Sequence, residues 1–217
     1  MPEAPTEARI LLLRHAETAA PDRFHGAESD VPLGARGVEQ AEGVALGLAR
    51  LGPTALYSSA MLRARQTAEP IARALGLEAV AVPELHERVM GPLGGMLQVE
   101  GRGRHVAAME AWKAGDLAAT HEGGESYLQI RDRVVPPFVA LARAHPGETI
   151  VVVAHGMVIR VLLSGLLEGR GPAAFDGFGI DHVAINDLRF DGQVWRAGPL
   201  NCPVGGLPLG PESGGRA

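Results

Sequence analysis

Leu11-Leu12-Leu13-Arg14-His15-Ala16-Glu17-Thr18 is the stretch whose reading decides the fold. Four apolar residues, Ile10 to Leu13, meet Arg14 and His15 directly. A short apolar run bounded by polar residues fits a strand buried on both faces, as in a parallel sheet. Arg14 and His15 then stand at its carboxyl end, the side on which open α/β sheets bind ligands. Residues 150–160, I-V-V-V-A-H-G-M-V-I-R, repeat the pattern, with an apolar run ending in His155 and a helix after it. Two strands that each deliver a histidine to one sheet edge are the central expectation.

The rest of the chain alternates around these two strands. Residues 33–51 place Val38, Ala41, Ala45, Leu48 and Leu51 at helical spacing, with Gly43 and Gly47 weakening the helix and Gly52-Pro53 ending it. Residues 55–57 form a short strand, and Ser58-Ser59 introduce a helix over 61–75 closed by Gly76. Residues 79–82 are a third strand. Strands alternating with helices predict a three-layer α/β/α fold with a mostly parallel central sheet. Over 84–124 the alternation lapses, and Gly91, Gly94, Gly95, Gly101 and Gly103 predict an irregular cap over the carboxyl edge of the sheet. Only 106–113 reads there as a short helix. Residues 126–144 form a long helix that Pro136-Pro137 kinks or splits. The strand 149–154 and the helix 157–167 follow. Segments 183–190 and 193–196 pair antiparallel around Asp191-Gly192. Residues 1–8 are expected to be a loose terminus and 205–217, rich in Gly and Pro, a flexible tail, with 1–204 forming one domain.

The bulk composition narrows the function classes. With 46% hydrophobic and 21% charged residues, the 217-residue chain falls among globular proteins. A net charge of −5 disfavours a nucleic-acid or anionic-membrane partner, so any anion site must be a local arginine cluster. The single cysteine, Cys202, permits neither an internal disulfide nor a paired-cysteine zinc site. No run approaches a membrane span and residues 1–9 lack a signal-peptide core, which makes a cytoplasmic location the default expectation.

Within this frame, particular residues carry chemistry. His15 is a nucleophile toward phosphorus when neutral, and nearby arginines would keep it so. His155-Gly156 opens a helix whose backbone N–H groups favour an anion, with Gly156 permitting close approach. Arg63, in S-S-A-M-L-R-A-R-Q-T-A, lies nearest the carboxyl edge on its helix, whereas Arg65 and Arg73 read as surface. A guanidinium grips two phosphate oxygens at once. A leaving alcohol needs an acid, and spacing alone leaves Glu84, Glu87 and Glu125 open. Eight histidines raise the possibility of a metal site, yet no HExxH or other ligand spacing accompanies His15 or His155, so no metal is expected.

Taken together these motifs resemble the histidine phosphatase superfamily, also called the phosphoglycerate mutase-like family, from about Arg9 to Asn201. L-L-L-R-H-A-E-T is similar to its signature strand, with Ala16 where glycine is commoner. G-A-E-S-D-V-P-L-G-A-R-G-V-E-Q-A resembles its second motif and S-S-A-M-L-R-A-R-Q-T-A the motif of its second phosphate-binding arginine. E-L-H-E-R-V-M-G-P-L-G-G resembles its L-x-E-R-x-x-G-x-L-x-G, and G-G-E-S and V-V-A-H-G complete the set. The resemblance implies that His15 attacks phosphorus, that Arg14, Arg63 and His155 hold the phosphoryl oxygens with Gly156 alongside, and that Glu87 rather than Glu84 is the proton donor. It makes Thr18, Arg88 and Glu125 candidate substrate contacts. It further implies no cofactor, a small-molecule phosphate monoester as partner and, by analogy, a homodimer. Pro21 stands where the family often has asparagine, and Met90 replaces a frequent aromatic. The paired-arginine pattern of the mutases is missing, with only Arg102 and Arg104 nearby, so a phosphatase is favoured over a phosphoglycerate mutase and over a non-catalytic phosphate-binding module. The glycine-rich cap leaves sugar phosphates, phosphoglycerates, a cobalamin-pathway nucleotide and phosphoproteins open as substrates.

Overall fold

The computed structural model describes residues 7–208. Two strands form its centre, β1 (Ala8–Arg14) and β4 (Thr149–Ala154), with β2 (Ala55–Ser58), β3 (Ala79–Ala81), β5 (Ile185–Phe190) and β6 (Trp195–Ala197) completing a six-stranded sheet of order β3-β2-β4-β1-β5-β6. β1 to β4 are mutually parallel, and β5 runs antiparallel to both β1 and β6. The predicted three-layer α/β/α arrangement with a mostly parallel sheet is the observed one.

Strand periodicity explains the layers, because successive side chains point to opposite faces. Ile10 and Leu12 of β1 and Ile150 and Val152 of β4 enter one core cluster, with α4 (Tyr127–Ala144) and α5 (Gly156–Leu166). Leu11, Leu13, Val151 and Val153 enter the other, with α1 (Ala35–Ala49) and α2 (Leu62–Leu75). Both central strands are therefore apolar over 10–13 and 150–154, because both of their faces are covered there.

Several elements differ from the sequence expectation. The apolar face of α1 is Gly37, Ala41, Val44, Ala45 and Leu48, while Val38 is 52% exposed. α2 is not capped by Ser58 or Ser59: its N-cap is Met61, and the Leu62 N–H donates to Asp30 Oδ1 at 2.7 Å from the preceding loop. Gly76 closes α2 at φ 65°, where a side chain would be strained. The cap is more regular than predicted. Its helix α3 (Gln98–Lys113) begins eight residues before the expected 106 and runs through Gly101 and Gly103. Gly101 serves packing and not irregularity, since a Cβ there would stand 2.8 Å from the Phe24 ring.

α4 runs unbroken through Pro136 and Pro137. Ser126 caps it, accepting from Gln129 N–H while the Gln129 side chain accepts from Ser126 N–H, a reciprocal capping box. At the amino end β1 already includes Ala8, 1% exposed. At the other end Leu207 is buried and Pro208 O accepts from Arg9, so the expected tail of 205–217 is tied down at these two residues while Gly205 and Gly206 are exposed. Its remainder, 209–217, lies outside the described residues, as do residues 1–6 of the expected loose terminus. No described helix is long and apolar enough to cross a membrane.

Candidate active site

Register brings the two histidines together. Arg14 and Ala154 are paired across β1 and β4, and the His15 N–H donates to Ala154 O at 3.0 Å. The next residues on the two strands, His15 and His155, are therefore neighbours, with ring centroids 5.1 Å apart. His15 Nδ1 lies 2.7 Å from Ala16 O. A carbonyl only accepts, so Nδ1 carries the proton and Nε2 keeps a lone pair. Burial pushes the His15 pKa well below the usual histidine range, and Arg63 and Arg14 lower it further. Burial, Arg63 and His15 do the same to His155. Both imidazoles are neutral at pH 7.

Two arginines are aimed by backbone carbonyls and no carboxylate. Arg14 Nη1 donates to Ile180 O at 2.7 Å; Arg63 donates from Nη1 to Ser29 O at 2.7 Å and from Nη2 to His25 O at 3.2 Å. The R-Q-T of the Arg63 motif braces the same corner. Thr67 Oγ1 accepts the Ala16 N–H at 3.0 Å and donates to Arg63 O, and Gln66 Oε1 accepts the Leu33 N–H. What these braces hold is a set of buried polar atoms without a protein partner: Arg14 Nε, Arg63 Nε and both ring nitrogens of His155. A buried unsatisfied polar atom costs about 1–3 kcal/mol. Three of them are donors, Arg14 Nε–H, Arg63 Nε–H and the single ring N–H of neutral His155, and together they make a site for an oxyanion with several acceptor oxygens.

The three acid candidates separate clearly. Glu87 lines the cavity, with Oε2 accepting the Met157 N–H at 3.2 Å and Oε1 the Arg88 N–H at 2.8 Å. The first turn of α5, expected to offer its N–H groups to an anion, thus gives one to Glu87. Gly156 lines the cavity against Arg14, where a Cβ would stand 3.6 Å from Arg14 Nε. Glu84 is exposed and does not line the cavity. Glu125 is also absent from the lining, being engaged by Arg133 at 2.9 and 2.8 Å and by the Val89 N–H. Burial alone would raise the Glu125 pKa, and these donors outweigh it and hold the carboxyl below its usual range.

The cavity has a volume of about 730 Å³ and extends from His15 under the cap. Among the described residues it is lined by five arginines and one carboxylate, Glu87. Thr18 and Arg88 line it, as do Pro21 and Met90, two of the three positions that depart from the family pattern. Arg88 is fully buried, donating from Nε to Glu125 O at 2.8 Å and from Nη2 to Thr120 Oγ1 at 3.1 Å. Arg63 and His155 are fully buried and stand behind the lining residues.

Sequence reasoning passed over His182. Its Nδ1 lies 2.9 Å from His15 O, its ring centroid is 5.5 Å from that of His15, and it lines the cavity. The following residue, Val183, sits at φ 54°, a strained value for a β-branched side chain, and its N–H donates to Arg14 O. The signal was available: a strand antiparallel to β1 begins at the edge where β1 ends, so a histidine just before it faces the same site. Asp30, which caps the helix of Arg63, and the carbonyls of 25–29 carried no such signal.

Among the described residues no group of three or more His, Cys, Asp or Glu side chains is placed to hold a metal ion. A family model described as the histidine phosphatase superfamily (branch 1) matches residues 10–203. A metal-independent phosphoserine phosphatase of Arabidopsis thaliana is 34% identical over 196 residues, covering 86% of this chain and 80% of its own. A phosphoglycerate mutase-like protein 4 of the same plant is 34% identical over 194 residues, covering 87% and 82%. Among solved structures, a mycobacterial glucosyl-3-phosphoglycerate phosphatase superposes with a TM-score of 0.80 at 27% identity, over 89% of this chain and 98% of that one.

Proposed function

The chain belongs to the histidine phosphatase superfamily, and from that premise we propose that it hydrolyses phosphate monoesters through a phosphohistidine on His15, without a metal ion. The observation that carries this reading is the set of unpartnered buried donors of Arg14, Arg63 and His155 around a neutral His15.

The phosphoryl group of the ester sits among these donors. His15 Nε2 attacks phosphorus as the P–O bond to the leaving group breaks, and a proton on Glu87 passes to the leaving oxygen. Charge on the equatorial oxygens is met by donors already in place, so little reorganisation is needed in the transition state. Glu87, now a carboxylate, takes a proton from water as the water oxygen attacks the phosphohistidine. The P–N bond breaks, and inorganic phosphate, neutral His15 and protonated Glu87 are restored. The Met157 N–H holds the Glu87 carboxyl beside the phosphoryl pocket through both steps.

A mutase would run the first step alike and return the phosphoryl group to substrate. Assay of inorganic phosphate from p-nitrophenyl phosphate, in EDTA, with wild type and His15→Ala separates the readings. Turnover that survives EDTA and falls by at least about 10⁴-fold in the variant is expected, with an acid-labile phosphoryl group on His15 after rapid quench. Turnover lost in EDTA, or retained in His15→Ala, would overturn the mechanism.

A further inference from the structure

Glu28 is an exposed glutamate that the mechanism leaves unused, yet its carboxylate is not simply solvated. Oε1 accepts the Met90 N–H at 2.9 Å and the Gly91 N–H at 2.6 Å, and Oε2 lies 3.2 Å from the Met90 nitrogen. The preceding N–H, of Val89, goes to Glu125 Oε2 at 2.8 Å. Three consecutive backbone donors after Glu87 and Arg88 are thus held by two carboxylates. Glu125 ties them to Arg133 of α4, and Glu28 ties them to the loop 25–30. Hydrogen bonds from N–H groups to a carboxylate are about twice as strong as those between neutral partners.

Glycine on both sides makes room for this reach. A Cβ on Gly26 would overlap Glu28 Oε2 and stand 2.6 Å from Met90 Cγ. Gly91 takes φ 52°, a left-handed value, and a Cβ there would stand 2.7 Å from the Gly123 backbone. The two loops therefore meet backbone to backbone, and the Ala27 N–H donates to Arg88 O at 3.1 Å beside the Glu28 contact.

Each of these loops carries a different part of the proposed reaction. His25 O and Ser29 O accept from the Arg63 guanidinium, and Asp30 caps the helix of Arg63 at Leu62. The other loop begins with Glu87. Arg63 has to grip the phosphoryl group while the Glu87 carboxyl stays within hydrogen-bond reach of the leaving oxygen, so the separation of the two loops is a catalytic distance. The Met157 N–H orients the Glu87 carboxyl, and the main chain that follows Glu87 is joined to the Arg63 loop through Ala27 and Glu28.

We propose that Glu28 is a positioning residue: by clamping Met90 and Gly91 to the loop that aims Arg63, it fixes the Glu87 carboxyl relative to the phosphoryl pocket. The proposal rests on the phosphatase reading and adds the contact that holds its proton donor and its phosphoryl pocket at one spacing.

Two measurements test it. The first, amide hydrogen exchange, needs no turnover. Glu28→Ala should speed exchange at Met90 and Gly91 by about tenfold or more. Glu28→Gln, whose carbonyl oxygen can stand where Oε1 stands and accept both N–H groups, should restore most of the protection. The second compares kcat/KM for phenyl phosphate with that for p-nitrophenyl phosphate, whose leaving group is less basic and needs a proton less. Glu28→Ala should lower the first by about 10- to 100-fold and the second much less, with Glu28→Gln recovering most of the loss. In a Glu87→Gln background the same substitution should cost less than about threefold, because no proton donor remains to be misplaced. Should the Ala variant fail to fold, Glu28→Asp keeps the charge, falls one methylene short of the two donors, and must reproduce the same pattern. Unchanged exchange at 90–91, equal losses on the two esters, or the full loss in the Glu87→Gln background would overturn the clamp. Failure of the phosphatase reading shows up separately, as absent His15-dependent phosphate release while exchange at 90–91 still depends on Glu28.

Discussion

The His15 and His155 rings lie 5.1 Å apart and tilted by 58°, at the ends of two strands whose last residues, Arg14 and Ala154, are register partners. A parallel pair with this register cannot place one histidine at the carboxyl edge without the other. In the proposed mechanism these are the nucleophile and an oxyanion donor, and the sheet backbone fixes both.

In the proposed mechanism Glu87 serves the leaving group, so its importance depends on how badly that group needs a proton. Glu87→Gln should reduce kcat/KM for an alkyl phosphate by about 10²–10⁴-fold. For p-nitrophenyl phosphate, whose leaving group departs as the anion, the loss should be much smaller. Equal losses on both substrates would remove Glu87 from the role of proton donor.

His182 positions His15 through its backbone carbonyl and does not touch phosphorus in the mechanism above. His182→Ala should lower kcat by about tenfold, with little change in KM, as expected for a misplaced reacting atom. His182→Asn keeps a side-chain donor and should recover part of the loss. A variant with wild-type kcat would show that the His182–His15 contact is incidental.

Stability should fall as the pH drops below neutrality. Burial lowers the pKa of His15, His155 and His105, the last to about 4, so the fold keeps them neutral while the unfolded chain protonates them near 6.5. Between those values the unfolded state binds more protons, and stability decreases toward acid. Each such histidine contributes up to about 1.4 kcal/mol per pH unit in that window. Urea midpoints at pH 7.5 and 5.5 measure the slope, and His105→Gln should flatten it. A midpoint independent of pH over this range would contradict the burial of these groups.

Gly37 lies on the buried face of α1, against the backbone that follows the nucleophile. A Cβ there would overlap the Glu17 carbonyl oxygen. That oxygen cannot swing aside as a side chain would, so Gly37→Ala should destabilise the protein by about 1–3 kcal/mol. It should also reduce activity through displacement of the Ala16–Thr18 turn. Gly43→Ala on the same helix, where a Cβ meets nothing within 4 Å, is the control. Helix propensity alone should make that control stabilising. Equal thermal midpoints for the two variants would refute the contact.

Asp187 forms a buried pair with Arg9 at 2.8 Å, the two side chains being 1% and 6% exposed. Asp187→Ala leaves the Arg9 charge buried and should cost about 3–5 kcal/mol. Chemical denaturation of this variant at pH 7 checks the figure, and a change below about 1 kcal/mol would be typical of an exposed pair instead.

The amino-acid sequence by itself determined the sheet and the two histidines. The apolar runs before His15 and His155 fit strands covered on both faces, and a polar residue ending such a strand emerges at its edge. Arg63 was legible for a related reason, since the first turn of a helix after a parallel strand lies at that same edge. Glu87 was separated from Glu84 and Glu125 by a family motif, because three carboxylates in irregular chain carry no period that would orient them. Only the tertiary structure decided their geometry, placing Glu87 against Met157 and Glu125 against Arg133. It also decided the length of α3, where Gly101, a helix breaker by propensity, fits because Phe24 occupies the space of its missing side chain. His182 acquires its role from His15, far away in the chain. Periodicity reports which face of an element is buried; what that face meets is set by packing between elements.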